Sequence, residues 1–220
     1  MTESAITTST ACFTWLPQMS VKLFGIRLSV SYPLICAVAM CVISGVYRVV
    51  LYGASAVVIH EAGHLTAMII IGELPESISV KLFKIDITDR LRHHRSEKNN
   101  LFVIFSGPAA NFICFIVSYL LYLKGNTVCL PFAAANASVG MLNSLPVMSL
   151  DGGQLIYLLL SPRTGSGKAQ RVVDVLTVCA IVPLAVLGVL TLLRSRYNVS
   201  LLVVCVYLIL SLFFRDDGYF

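Results

Sequence analysis

Charge is scarce in this 220-residue chain: 12% of the residues are Asp, Glu, Lys or Arg, against about 25% in soluble domains. Hydrophobic residues make up 57%, and the mean hydropathy is +0.86. This balance excludes an ordinary soluble globule and points to a multi-pass integral membrane protein. Cysteine pairing is absent as well. The seven cysteines are scattered, mostly within apolar stretches, and no C-x-x-C occurs, which excludes a thiolate metal ribbon and suits buried apolar thiols. The first 20 residues have neither a basic start nor a clean apolar core, so they do not read as a cleaved signal peptide. Aromatic residues are nearly missing from the basic stretch 81–98, which argues against a nucleic-acid surface. The glycine-rich TGSGKAQ at 164–170 lacks two parts of a phosphate-binding loop: Pro162 stands at the first glycine, and Ala169 follows Lys168.

Long apolar runs, by contrast, are abundant. A transmembrane helix takes roughly 20 mostly apolar residues, and six segments qualify: about 30–47, 54–72, 101–123, 129–160, 172–193 and 199–214. The fourth is long and interrupted. The expectation is an all-α polytopic membrane protein of about six transmembrane helices. It forms one domain over 1–220, with residues 1–29 interfacial or flexible. Basic residues set the orientation. With the N-terminus inside, the inner segments take Lys22, Arg27, the six basic residues from Lys81 to Lys98, Arg163, Lys168, Arg171 and Arg215. The outer segments take only Arg48, Lys124, Arg194 and Arg196. Both termini are therefore expected in the cytoplasm.

Against that background the run VVIHEAGHLTAMIII, 57–71, stands out: two histidines and a glutamate interrupt an otherwise apolar helix. Ionisable groups at membrane depth are costly and mark function. His60 and His64, four residues apart, lie on one helix face. This is the H-E-x-x-H arrangement, in which two histidines hold zinc and the carboxylate, here Glu61, acts as general base. A catalytic zinc usually takes a third protein ligand. His93 and His94 sit among basic loop residues, and Glu73, Glu76 and Glu97 lie in or beside the same loop. Asp174 is near the start of a span and three residues from Arg171. Only Asp151 lies deep in an apolar stretch, and the following Gly152 and Gly153 allow the backbone to bend so that its carboxylate reaches across. In NSLPVMSLDGG, 143–153, Pro146 and the glycine pair interrupt the fourth span. Such breaks are tolerated where they line a cavity. Asn143 and Pro146 are candidates for contact with substrate or oxyanion.

Residues 78–88, ISVKLFKIDIT, alternate apolar and polar with one slip. Period two predicts a membrane-associated strand or hairpin there. An edge strand can pair with an extended peptide.

HEAGH at 60–64, SGPAAN at 106–111 and NSLPVMSLDGG at 143–153 resemble the three signature regions of the site-2 protease family of intramembrane zinc metalloproteases. The resemblance covers most of the chain and is nearest to the compact bacterial branch that includes the sporulation sigma-factor processing protease. It implies a three-helix core, one zinc ion on His60, His64 and Asp151, and Glu61 as catalytic base. The family's G-x-x-x-N pattern falls on Gly107 and Asn111, which adds Asn111 to the candidates near the substrate. The implied substrate is a membrane-embedded or membrane-associated protein, such as a transcription-factor precursor or an anti-sigma factor, with a membrane inhibitor or regulator as a further partner. The implied location is a bacterial cytoplasmic membrane. Lys124 to Leu130 is too short for a PDZ insertion, and only RDDGYF follows the last span, so neither a PDZ nor a CBS domain is expected. Two other classes compete: a membrane metal transporter or sensor on the same ligands, and an inactive homologue that binds without cutting. Transport predicts polar groups lining several spans, whereas the intramembrane charge here concentrates at one site. An inactive homologue usually loses the glutamate or a ligand, and all four residues are present.

Overall fold

The computed structural model describes residues 18–23, 26–31, 43, 45, 47–73, 77–80, 85–88, 95–194 and 205–206. The chain divides into two compact units, Met1–Val50 with Leu74–Arg90, and Leu51–Glu73 with Leu91–Phe220.

The smaller unit carries four short strands: β1 (Gln18–Leu23), β2 (Ile26–Ser31), β3 (Ser77–Val80) and β4 (Ile85–Thr88). They form one sheet in the order β1-β2-β3-β4. β1 and β2 run antiparallel from Gln18↔Ser31 to Leu23↔Ile26. β2 and β3 run parallel, and β3 and β4 antiparallel. Residues 18–29, expected only as interfacial or flexible, thus contribute to two strands, the second of which runs on to Ser31 at the start of the expected span 30–47. The pattern was present: S-V-K-L-F at 20–24 recurs at 79–83, the second copy lying in the stretch whose alternation predicts strand.

Among the described residues the larger unit is helical: α1 (Tyr47–Ile70), α2 (Glu97–Leu123), α3 (Cys129–Asn143), α4 (Asp151–Thr164) and α5 (Ser166–Arg194). Local chemistry sets the ends. The Ser96 hydroxyl accepts the Asn99 N–H at 3.3 Å, and Glu97 places a negative charge in the first turn of α2. Gly72 (φ +80°) and Gly125 (φ +99°) follow α1 and α2 in left-handed conformations that a side chain would resist.

Helices α1, α2 and α5 are long and apolar enough to cross a membrane. The outward residues of α5, including Val175, Val178, Val182, Val186 and Leu190, are exposed hydrophobics suited to lipid. The expected fourth span, 129–160, is instead two helices. α3 has 15 residues and α4 has 14, so each reaches only about 21–23 Å of a ~30 Å hydrocarbon core. The expected spans 30–47 and 199–214 lie outside the described residues apart from Ile43, Gly45, Tyr47, Cys205 and Val206.

The break between α3 and α4 is a packed turn. Val147 and Leu150 are buried against Ile181 of α5, and Thr177 on α5 donates to the Pro146 carbonyl at 2.9 Å. The larger unit is also tied at its own opening. Arg95, whose side chain is 3% exposed, donates from Nε to Glu73 Oε2 at 2.6 Å. Arg95 was counted with the solvated basic loop; its side chain is instead covered, and a carboxylate just past α1 balances its charge.

Candidate metal centre

Helix α1 carries His60 and His64 one turn apart, with Glu61 beside His60, and the first residue of α4 brings Asp151. His60 Nε2 lies 2.9 Å from Asp151 Oδ2 and 3.2 Å from His64 Nε2; His64 Nε2 lies 3.2 Å from the same Asp151 oxygen. The three atoms form a nearly equilateral triangle. They are the group of His, Cys, Asp and Glu side chains among the described residues that could hold a metal ion.

The hydrogen bonds behind the ligands decide the chemistry of the triangle. Asn111 Nδ2 donates to the Ala56 carbonyl at 2.9 Å and to Asn136 Oδ1 at 3.0 Å. Its Oδ1 therefore faces His60 Nδ1, 2.8 Å away, and an amide oxygen can only accept. His60 Nδ1 must carry the proton. His64 Nδ1, 2.7 Å from the Val103 carbonyl, must carry one too. In the neutral rings both Nε2 atoms are then bare lone pairs, and both point at a carboxylate oxygen. Three acceptors meeting with no donor between them repel unless a cation sits among them. Ligand atoms about 2.0–2.2 Å from a tetrahedral metal lie roughly 3.3–3.6 Å apart, close to the spacings found. The donor set therefore fits a metal ion. The pattern of a ligating histidine that gives its other N–H to an oxygen is the usual outer support of such sites.

Small residues make the approach possible. A Cβ on Gly107 would run into Nε2 of His64, meet His64 Cε1 at 2.5 Å and His60 Cε1 at 2.9 Å. On α1, a Cβ on Gly63 would lie 2.5 Å from the Ser106 carbonyl and 2.9 Å from Ala110 Cβ, so α1 and α2 touch nearly backbone to backbone.

The glycine pair after Asp151 acts differently from expectation. Gly152 and Gly153 do not bend the chain; they are the second and third residues of α4. A Cβ on Gly152 would collide with the Ser144 carbonyl and one on Gly153 with the Val147 carbonyl. The first turn of α4 is thus pressed on the backbone of the break, and that contact holds Asp151 at the histidines.

The other candidates are placed as follows. Glu61 is half-buried beside His60 on α1. Asn111 is fully buried, its amide engaged with His60, Ala56 and Asn136. Asn143 ends α3, and its Nδ2 donates to the Val139 carbonyl of the same helix at 3.1 Å. Pro146 lies in the break, its carbonyl bound by Thr177. Asp174 sits on α5 and accepts from Gln170. His93 and His94 lie outside the described residues. Sequence reasoning missed Asn136, which is fully buried in mid-helix; a lone asparagine in an apolar helix was the signal available.

No family model matches the chain. It is similar to stage IV sporulation protein FB of Bacillus subtilis (strain 168), 26% identical over 179 residues, 80% of this chain and 61% of that protein's length. The chain thus spans about three-fifths of that relative. It shares its fold with the solved structure of a site-2 protease from Methanocaldococcus jannaschii, with a TM-score of 0.63, 18% identity, and coverage of 87% of this chain and 92% of that one.

Proposed function

We propose that this chain, whose likenesses support the site-2 protease family, is an intramembrane zinc metalloprotease that hydrolyses peptide bonds of membrane-embedded or membrane-associated proteins. The observation that carries the reading is the convergence of three lone pairs, from His60, His64 and Asp151, within an apolar helical unit. His60, His64 and Asp151 would hold one zinc ion. When bound, zinc supplies a Lewis acid and lowers the pKa of a water it holds to about 7. The chain's residues do the rest. Glu61, one residue from His60, takes the proton of the attacking water and hands it to the leaving amine. Asn111 keeps the His60 proton on Nδ1, and the Val103 carbonyl does the same for His64. Asn143, at the end of α3 and eight residues before Asp151, is the candidate to steady the scissile carbonyl, with Pro146 lining the same break. An extended substrate would add to β4, an outer strand in the sheet order β1-β2-β3-β4.

Zinc removal tests this reading. Purified chain should carry one zinc. A chelator should abolish cleavage of a membrane-anchored test substrate, and added zinc should restore it. His64→Ala and Asp151→Ala should each lower zinc content at least about 10-fold, since each removes one of three ligands. Full zinc retention by Asp151→Ala would place the third ligand elsewhere, with Asp174 next to examine.

Orientation is tested separately. Reporter fusions within 90–98 and after Phe220 should both report the cytoplasm, as the basic-residue bias requires; an outward-facing signal at either would overturn the six-span arrangement.

A further inference from the structure

The hydrogen bonds of Asn136 run to Asn111 and the Phe132 carbonyl and not to the ligand triangle. The residue lies mid-way along α3, is 0% exposed, and uses both ends of its amide: Nδ2 donates to the Phe132 carbonyl at 3.0 Å, and Oδ1 accepts from Asn111 Nδ2 at 3.0 Å. We propose that Asn136 is a positioning residue of the metal centre, which fixes the orientation of the Asn111 amide and, through it, the tautomer of His60. The inference rests on the metal-site reading above and extends it to a residue on helix α3.

An asparagine amide has two orientations that differ by a half-turn. In the one present, Asn111 Oδ1 faces His60 Nδ1, and its two N–H groups face the Ala56 carbonyl and Asn136 Oδ1. Turned over, it would point its oxygen at those two acceptors and an N–H at His60 Nδ1. That nitrogen would then have to accept, its proton would move to Nε2, and the lone pair facing Asp151 would be gone. Two oxygens hold the productive orientation, and Ala56 supplies only one. Asn136 supplies the other, and its own orientation is set by the Phe132 carbonyl, which can only accept. A backbone oxygen of α3 thereby determines, through two side-chain amides, which nitrogen of His60 is bare. Packing on α3 serves the same end. Gly140, one turn beyond Asn136, presents no Cβ where Asn111 Cβ would stand 3.2 Å away, so α2 and α3 lie close enough for the amides to meet.

A merely structural role for the pair, as polar glue between helices, predicts a different result. Three variants of the full chain in detergent separate the two: Asn136→Leu and Asn136→Ala, which neither donate nor accept at that point, and Asn136→Asp. A protonated aspartate keeps an oxygen for Asn111 and an O–H for Phe132. The readouts are zinc affinity by chelator competition and the absorption spectrum of the cobalt-substituted protein, with His60→Ala as the scale for losing that ligand. Asn136→Leu and Asn136→Ala should hold zinc about 10–100-fold more weakly, the range for loss of an outer-shell partner, with an altered cobalt spectrum. Asn136→Asp should stay within about 3-fold of wild type with the native spectrum. Wild-type zinc affinity in whichever of the leucine and alanine variants folds would overturn the proposal, as would equal weakening in all three. If His60→Ala itself binds zinc as wild type does, the metal-site reading has failed and the inference falls with it.

Discussion

Glu61→Gln is expected to fold, to keep its zinc, and to cut a membrane-anchored substrate about 10²–10⁴-fold more slowly than wild type. The substitution preserves the size of the half-buried side chain beside His60 and removes only its capacity to accept a proton. The ligand triangle of His60, His64 and Asp151 does not include it, so metal content should not change. Cleavage should fall because nothing else on the ligand helix within a turn of His60 can serve as a base: the neighbours are Val57, Val58, Ile59, Ala62, Gly63 and His64, and His64 has both nitrogens committed, one to Val103 and one to the triangle. The same variant separates the competing classes. A transporter or sensor needs the ion but no base, and an inactive binding homologue has no cleavage to lose. Undiminished cleavage by Glu61→Gln, with contaminating proteases excluded, would sink the mechanism.

The second large effect is expected at Gly107, where adding one methyl group should weaken zinc binding about 10–100-fold. The new Cβ would occupy the place of His64 Nε2 and press on His60 Cε1. A histidine ring is the mobile end of a side chain, so it can swing aside, and the loss of global stability should be modest, about 1–3 kcal/mol as for other overpacked sites. Swinging aside, however, breaks the His64 bond to the Val103 carbonyl and takes Nε2 out of the triangle. Gly167→Ala is the matched control, since a Cβ there meets nothing within 4 Å; it should leave zinc affinity unchanged and stability equal or slightly raised, as alanine favours a helix. Equal zinc affinity in Gly107→Ala and wild type would show that the imidazoles are not held as described.

The residues that bear ionisable groups were readable in the sequence because the surroundings are apolar. His60, His64 and Asp151 each interrupt a hydrophobic run, and the cost of burying them without a partner makes their meeting predictable. What supports them was less readable, for two physical reasons. The partner of His64 is a backbone carbonyl, which every residue has, so no side-chain pattern marks Val103. The partner of the helix break is also backbone: Gly152 and Gly153 look like bend-makers in one dimension, and only the packed turn at 144–150 shows that they make room for carbonyl oxygens. Asn136 lies in an apolar stretch and carries no ionisable group to mark it, yet it is fully buried. The paired strands at 18–31 alternate polar and apolar residues strictly, Q-M-S-V-K-L and then I-R-L-S-V-S, so their signal was present in the sequence.

His64 and Asp151 are 87 residues apart in the chain, and this separation sets a schedule for synthesis. At about 5–20 residues per second, a ribosome needs roughly 4–17 s after making His64 to reach the third ligand. During that interval α1 and α2 can already pair through Gly63 and Gly107, and the histidines can take their tautomers, but the nascent chain has only two ligands to offer. An ion held by all three ligands would thus be captured late, when α4 docks, and on the proposed reading a growing or truncated chain would lack the complete site.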